Sequence, residues 1–136
     1  MARSFLDTNI LLYSDDRFDA RKNRIAVDLL VDLRLAHAGV ISTQVLQEYI
    51  VNAVGKLNLD VMVVRRRVEL FAKFDIVIPS VEMILAAIDL QRLNSLSFWD
   101  AMIVQAARVS GCEILLSEDM QHGQTLAGLR IVNPFA

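Results

Sequence analysis

The sequence predicts an α/β domain with a central, mostly parallel, five-stranded sheet and helices on both of its faces. Two observations predict it. Short apolar runs alternate with longer segments of helical spacing along the whole chain. That alternation suits parallel strands joined by helical crossovers and buried on both sides. The chain also has 136 residues, 54% of them hydrophobic, enough for one sizeable core and little more than one domain.

Each element has a local reason. Arg3 to Leu6 reads as a short buried strand, and Ile10 to Tyr13 begins a short helix. Asp15 to Asp19 is polar and loop-like. Arg21 to Ala38 carries apolar residues at helical spacing, with Gly39 as its expected stop. Val40-Ile41 is a strand, and Ser42 or Thr43 can cap a helix from Gln44 to Lys56. A further helix spans Asn58 to Phe74, with Asp60 near its start. Ile76-Val77-Ile78 is a strand closed by Pro79. Ser80 caps a helix that runs to Asn94, and Ser97 caps one from Phe98 to Ser110 that Gly111 ends. Glu113 to Leu116 is a strand, Asp119 to Gly128 a turn-rich loop, and Leu129 to Val132 the last strand. There are no internal repeats, low-complexity tracts or linkers.

Composition excludes several classes of function. A net charge of −2 gives no global attraction to nucleic acid, so a polyanion must be held by local cations or by metal. The single cysteine, Cys112, permits neither an internal disulfide framework nor a cysteine-rich zinc site; it reads as an inert packed thiol. His37 and His122 match no ligand spacing and read as surface residues. A mean hydropathy of +0.41 is high for a small domain, which leaves apolar surface to cover a subunit interface. Met1-Ala2-Arg3 leads straight into a strand, and the apolar run Met83 to Ile88 is bracketed by Glu82 and Asp89. Neither a signal peptide nor a membrane span is expected, and the chain reads as cytoplasmic.

Four acids stand out: Asp7, Glu48, Asp100 and Asp119. Asp7 directly follows the first strand, and Asp119 lies three residues beyond Leu116. In open parallel sheets, ligands collect beyond the carboxyl ends of strands where the strand order reverses. Helix capping is the plain alternative for Asp7, and a solvated loop for Asp119. Asp100 shares a helical stripe with Val104, Ala107 and Gly111, and Ser97-Phe98-Trp99-Asp100 also fits a capping box. Glu48 lies one turn into its helix, off the apolar side expected from Leu46, Ile50, Ala53 and Leu57, so periodicity alone reads it as solvated. Convergence would change the picture. Two carboxylates about 5 Å apart repel by about 3 kcal/mol at an effective dielectric near 20, so a cluster either keeps protons or binds a cation. Oxygen ligands without histidine or cysteine suit Mg²⁺ or Mn²⁺. Such an ion can orient a phosphodiester and activate water, and no nucleophilic side chain is then needed. No Gly-x-Ser-x-Gly and no Gly-x-x-x-x-Gly-Lys motif is present.

At these residues the sequence resembles the PIN-domain family, and within it the VapC-type toxin ribonucleases of bacterial toxin–antitoxin pairs. The matching pieces are FLDTNILLYS with Asp7, STQVLQEYI with Glu48, SFWDAMIVQAA with Asp100, and LLSEDMQHGQ…GLRIVNPF with Asp119. They span nearly the whole chain, in the family's order. The resemblance implies a single PIN-like domain over residues 1–136 and a metal-dependent endoribonuclease. Asp7 and Asp100 would hold the metal most directly, and Glu48 and Asp119 would complete the site, often through water. Thr8, Asn9 and Ser117 would support the acids. A cognate antitoxin protein and a homodimer are further implications.

RNA must reach an acidic site, which calls for cations. Arg21-Lys22-Asn23-Arg24 and Arg65-Arg66-Arg67 are the two basic runs, read either as RNA contacts or as solvated helix faces. Trp99 could stack a base, though core packing is the expectation for it and for Phe98. Two other readings stay open: a PIN nuclease in RNA maturation, and a catalytically silent RNA- or protein-binding module. A phosphoacceptor receiver would want an Asp ending a middle strand and a Lys ending a late one, but the middle strand ends in Pro79-Ser80 and Ile131-Val132 is followed by Asn133. An Asp-x-Asp phosphatase lacks its second acid, because Asp7-Thr8-Asn9 offers an amide there.

Overall fold

Ser4–Leu6 forms β1, and all three residues are buried. Successive side chains of a strand point to opposite faces, so both sides of the sheet are covered at its centre. The computed structural model describes every residue from Met1 to Ala136. After β1 come α1 (Thr8–Tyr13), α2 (Ala20–Leu35), β2 (Gly39–Ser42), α3 (Thr43–Gly55), α4 (Val61–Phe71) and β3 (Asp75–Val77). The second half carries α5 (Val81–Asn94), α6 (Phe98–Val109), β4 (Ile114–Leu116), β5 (Thr125–Leu126) and β6 (Leu129–Val132). The sheet order is β3-β2-β1-β4-β6-β5. The chain winds outward from β1 through β2 to β3, then crosses back to β4 on the other side. The order therefore reverses between β1 and β4, which places the crevice of an open α/β sheet at their carboxyl ends.

The first five strands in that order are parallel, as expected; the sixth is not. β5 pairs antiparallel with β6 inside the segment expected to be loop. Leu126 faces Leu129 across Ala127-Gly128, and both turn residues have positive φ, 51° and 83°. That is the backbone a two-residue hairpin requires. Ala-Gly lacks the Asn-Gly signature by which such a turn is recognised, so the strand was illegible.

Side-chain caps start the helices where local chemistry placed them. Ser42, Asp60, Ser80 and Ser97 each accept a backbone N–H from the first turn of the following helix. Helix ends are less local. α2 stops at Leu35, and the left-handed residue beyond it is His37 (φ 53°), not Gly39. Gly39 is the first residue of β2 and is needed for another reason. A Cβ there would lie 2.5 Å from Cδ1 of Phe74. α4 is shorter than Asn58 to Phe74, because Asn58 takes a positive φ of 54° ahead of the Asp60 cap.

α3 is rotated from its expected orientation. It buries Gln44, Val45, Tyr49 and Ala53, while Ile50 is 37% exposed. The fully buried Tyr49 ring meets Phe71 of α4 edge-on, with centroids 5.0 Å apart, and its hydroxyl donates to Asp15. Together these anchor the helix by a face that hydropathy alone does not choose. Phe98 packs against the core as expected, but Trp99 is 63% exposed. Cys112 is half-buried just before β4, and burial pushes its thiol pKa up, away from reactivity. His37 and His122 are exposed. No helix is long and apolar enough to cross a membrane.

Candidate active site

Asp7 closes β1 and caps α1. Its backbone N–H donates to the Leu116 carbonyl at 3.0 Å, so the acid is seated at the junction of β1 and β4. One carboxylate oxygen accepts the Thr8 N–H at 2.7 Å, and the other accepts the Ser117 hydroxyl at 2.8 Å. Only 5% of Asp7 is exposed. Burial raises its pKa to about 6; the Ser117 and Thr8 hydrogen bonds oppose that rise, and the charges of Asp119 and Glu48 add to it. Capping and a cavity-facing charge, posed as alternatives from the sequence, are both present in this residue.

Ser117 follows β4 and is fully buried. Its hydroxyl donates to Asp7 and accepts the Asp119 N–H at 3.2 Å, linking the two acids through one oxygen. Asp119 stands at the exposed rim, where Asn9 Nδ2 donates to its carboxylate at 2.8 Å. Partial desolvation raises its pKa; the Asn9 hydrogen bond opposes this, Asp100 and Glu118 reinforce it, and Lys56 lowers it.

Asp100 lies in the first turn of α6, where Ser97 Oγ accepts its N–H at 3.1 Å. The reciprocal half of the capping box is missing, because the Asp100 carboxylate accepts no hydrogen bond from Ser97. It is left free to face the cavity. Glu48 reaches the same cavity from α3. Gln44 Nε2, one turn earlier, donates to Glu48 Oε1 at 2.8 Å and to the Trp99 carbonyl at 3.2 Å. The rotation that buries Tyr49 also turns Glu48 to the sheet edge.

One polar cavity of about 90 Å³ unites these groups, lined by Asp7, Thr8, Asn9, Glu48, Asp100 and Asp119 together with Gln44, Asn52, Lys56 and Trp99. All four acids singled out in the sequence are on its wall. Gln44, Asn52 and Lys56 were missed as site residues. They form a polar ladder with Glu48 at four-residue spacing, 44-48-52-56, which is one face of a helix. The signal was present, but such a ladder looks the same on a solvated face.

The basic runs do not line the cavity. Lys22 pairs with Glu118 at 2.9 Å, and Arg67 with Asp15 at 2.9 Å. Arg65 pairs with Glu69, and Arg21 donates to the Phe135 carbonyl at 2.8 Å. Arg24 and Arg66 are exposed and without such partners.

No three of the acids converge into a ready-made cage for one ion. A hydrated ion remains compatible with the site. Mg²⁺ usually keeps several waters and takes only one or two carboxylates from a protein, and about 90 Å³ leaves room for water. The Thr8 hydroxyl is buried on the cavity wall with no hydrogen-bond partner, and a buried polar atom left unpaired is costly unless something outside the protein meets it. Hard oxygen donors without histidine or thiolate fit Mg²⁺ or Mn²⁺ better than zinc.

Comparison with known proteins gives a consistent picture. The sequence model of the PIN domain matches residues 4–125. No curated protein matches the chain significantly in sequence. Among solved structures, a toxin–antitoxin complex from Klebsiella pneumoniae contains a chain of 22% identity, aligned over 96% of this chain and 97% of that one, with a TM-score of 0.71. Mycobacterium tuberculosis VapC20, described as a sarcin-ricin loop cleaving toxin, is 20% identical over 85% of this chain and 91% of its own, with a TM-score of 0.69. FitAcB from Neisseria gonorrhoeae is 17% identical over 97% and 98%, with a TM-score of 0.68.

Proposed function

The chain belongs to the PIN-domain family, and we propose that it is a Mg²⁺- or Mn²⁺-dependent endoribonuclease, the toxin of a VapC-type toxin–antitoxin pair. One observation carries the reading. Four carboxylates from four separate stretches of chain line a single polar cavity at the strand-order reversal. The solved toxins of the same fold support the biological assignment, and the RNA-cleaving description of VapC20 supports the substrate class.

In this reading Asp7 and Asp100 would hold the ion most directly, and Glu48 and Asp119 would hold it through water. The ion would neutralise phosphate oxygens and lower the pKa of attacking water. The chain's own part is to fix the anions before substrate arrives. Ser117 and the Thr8 N–H hold both oxygens of Asp7. Asn9 orients Asp119, and Gln44 orients Glu48. Asp7 gives up its proton readily only above about pH 6, so cation binding and proton release are coupled. Lys56, on the cavity wall, meets the phosphate backbone.

Two surfaces support the partners. α5 buries Met83, Ala87 and Leu90 yet leaves Val81, Leu85 and Ile88 open, which suits a second copy of the chain. A separate trough of about 590 Å³ between α2 and α4, lined by Val27, Val31, Leu70 and Phe71 among others, shares no residue with the acidic cavity. It suits an apolar segment of the antitoxin.

The deciding experiment uses Asp7→Asn and Asp100→Asn. Each abolishes metal-dependent cleavage of RNA while the circular-dichroism spectrum is unchanged. Undiminished cleavage by either purified variant refutes the assignment.

A further inference from the structure

We propose that Trp99 and the amide side chains of α3 form a stacking subsite for one unpaired nucleobase of single-stranded RNA, next to the reacting phosphate. The inference rests on the endoribonuclease reading above and names the substrate form that this site takes.

The acidic cavity opens into a second cleft, of about 390 Å³, lined by Gln44, Gln47, Glu48, Val51, Asn52 and Trp99. Gln44, Glu48, Asn52 and Trp99 belong to both walls, so the two are one continuous surface. Trp99 precedes Asp100 in the chain, which puts the indole beside the acids. The ring is 63% exposed, although a large aromatic side chain gains from burial. It is nevertheless held in place. Phe98 meets it edge-on with centroids 5.2 Å apart, and its backbone carbonyl is tied by Gln44, the same amide that holds Glu48. A ring fixed from below and open above is a platform.

The groups around the platform suit a base edge. The Gln47 side chain is exposed and makes no hydrogen bond within the protein. Asn52 uses its Nδ2 on the Glu48 carbonyl at 2.8 Å, which leaves its Oδ1 as a free acceptor. Amides beside a stacked base can pair with its exposed polar edge. A duplex covers the faces of its bases with neighbouring pairs, so an unpaired base is required. Stacking itself tolerates any base, and the two amides supply whatever preference exists.

Trp99 is the chain's sole tryptophan, so its fluorescence reports on this cleft alone. The Asp7→Asn chain, chosen because it does not turn over, is titrated in Mg²⁺ with short oligouridylate, with oligoadenylate and with a duplex of equal length. Single strands quench and shift the emission; the duplex does not. In otherwise native chain, Trp99→Ala raises KM for single-stranded RNA by about 5- to 100-fold with little change in kcat, and Trp99→Phe recovers most of the loss. Cleavage by the native chain with no quenching and an unchanged KM in Trp99→Ala overturns the subsite and leaves the nuclease reading standing. Emission that follows protein concentration and ignores RNA also overturns it, because a second copy then covers the indole. If the native chain cleaves nothing with either metal, the nuclease reading falls, and the quenching result alone decides whether the cleft binds single strands.

Discussion

Asp7→Asn tests the central claim, that a buried anion is held at the sheet edge at a cost to the fold. The native carboxyl has a pKa of about 6, whereas its ordinary value is 3.8. The folded protein therefore binds the Asp7 proton more tightly than the unfolded chain does. Stability from this group is complete below pH 3.8 and is lost as pH rises through about 6. At about 1.4 kcal/mol per pH unit of separation, the ionised group destabilises the metal-free protein by about 3 kcal/mol at pH 8. Asparagine removes the charge and keeps the shape. Its oxygen can accept the Thr8 N–H, and its amide can donate to Ser117 Oγ. The variant is then more stable than the native chain by about 3 kcal/mol at pH 8, about 10 °C in melting temperature for a domain of this size. At pH 4 most of that difference is gone. Thermal unfolding of both chains in chelator, at intervals from pH 4 to pH 8, measures it. A variant no more stable than native at pH 8, or a gain that does not change with pH, refutes the reasoning. Saturating Mg²⁺ stabilises the native chain more than the variant.

Three further outcomes follow from the same geometry. Lys56→Ala raises KM for RNA and makes the slope of log affinity against log salt shallower by about 0.7, the contribution of one single-strand phosphate contact, as salt titrations of binding will read. Leu85→Glu places a charge on the open face of α5, the face proposed to meet a second copy, and light scattering detects a monomer in place of the proposed dimer; an unchanged mass excludes that face as the interface. Gly39→Ala drives a methyl group against the Phe74 ring and destabilises the fold by about 1–3 kcal/mol in denaturant titrations, whereas adding Phe74→Leu restores part of the loss.

Local chemistry determined much of this molecule before any folding. Ser80 and Ser97 each sit ahead of a helix and offer an oxygen to an N–H three residues on; that depends on nothing distant. The parallel strands were legible as short apolar runs, most plainly β1 and β2, where every residue is buried. Asp7 and Asp119 could be placed at strand ends by counting along the chain. What one helix turns inward is a different kind of question. Glu48 lies on α3 beside equally plausible solvent-facing residues, and only the packing of Tyr49 against Phe71, with its hydroxyl on Asp15, sets the rotation that brings Glu48, Asn52 and Lys56 to the cavity.

The same division explains the cations and the indole. A run such as Arg65-Arg66-Arg67 announces charge, but pairing is decided by what folds up beside it. Arg67 meets Asp15, which lies 52 residues earlier in the chain. Trp99 was expected in the core because indoles gain from burial, yet at its turn of α6 the inward positions go to Ala101 and Met102, leaving the ring outside. Sequence alone therefore determined which residues carry charge, which begin helices and in what order the strands occur, since these are short-range properties of the backbone and of each side chain. Tertiary structure decided which charges face one another and which stand unpaired, because a distance between residues far apart in the chain exists only once the core between them has closed.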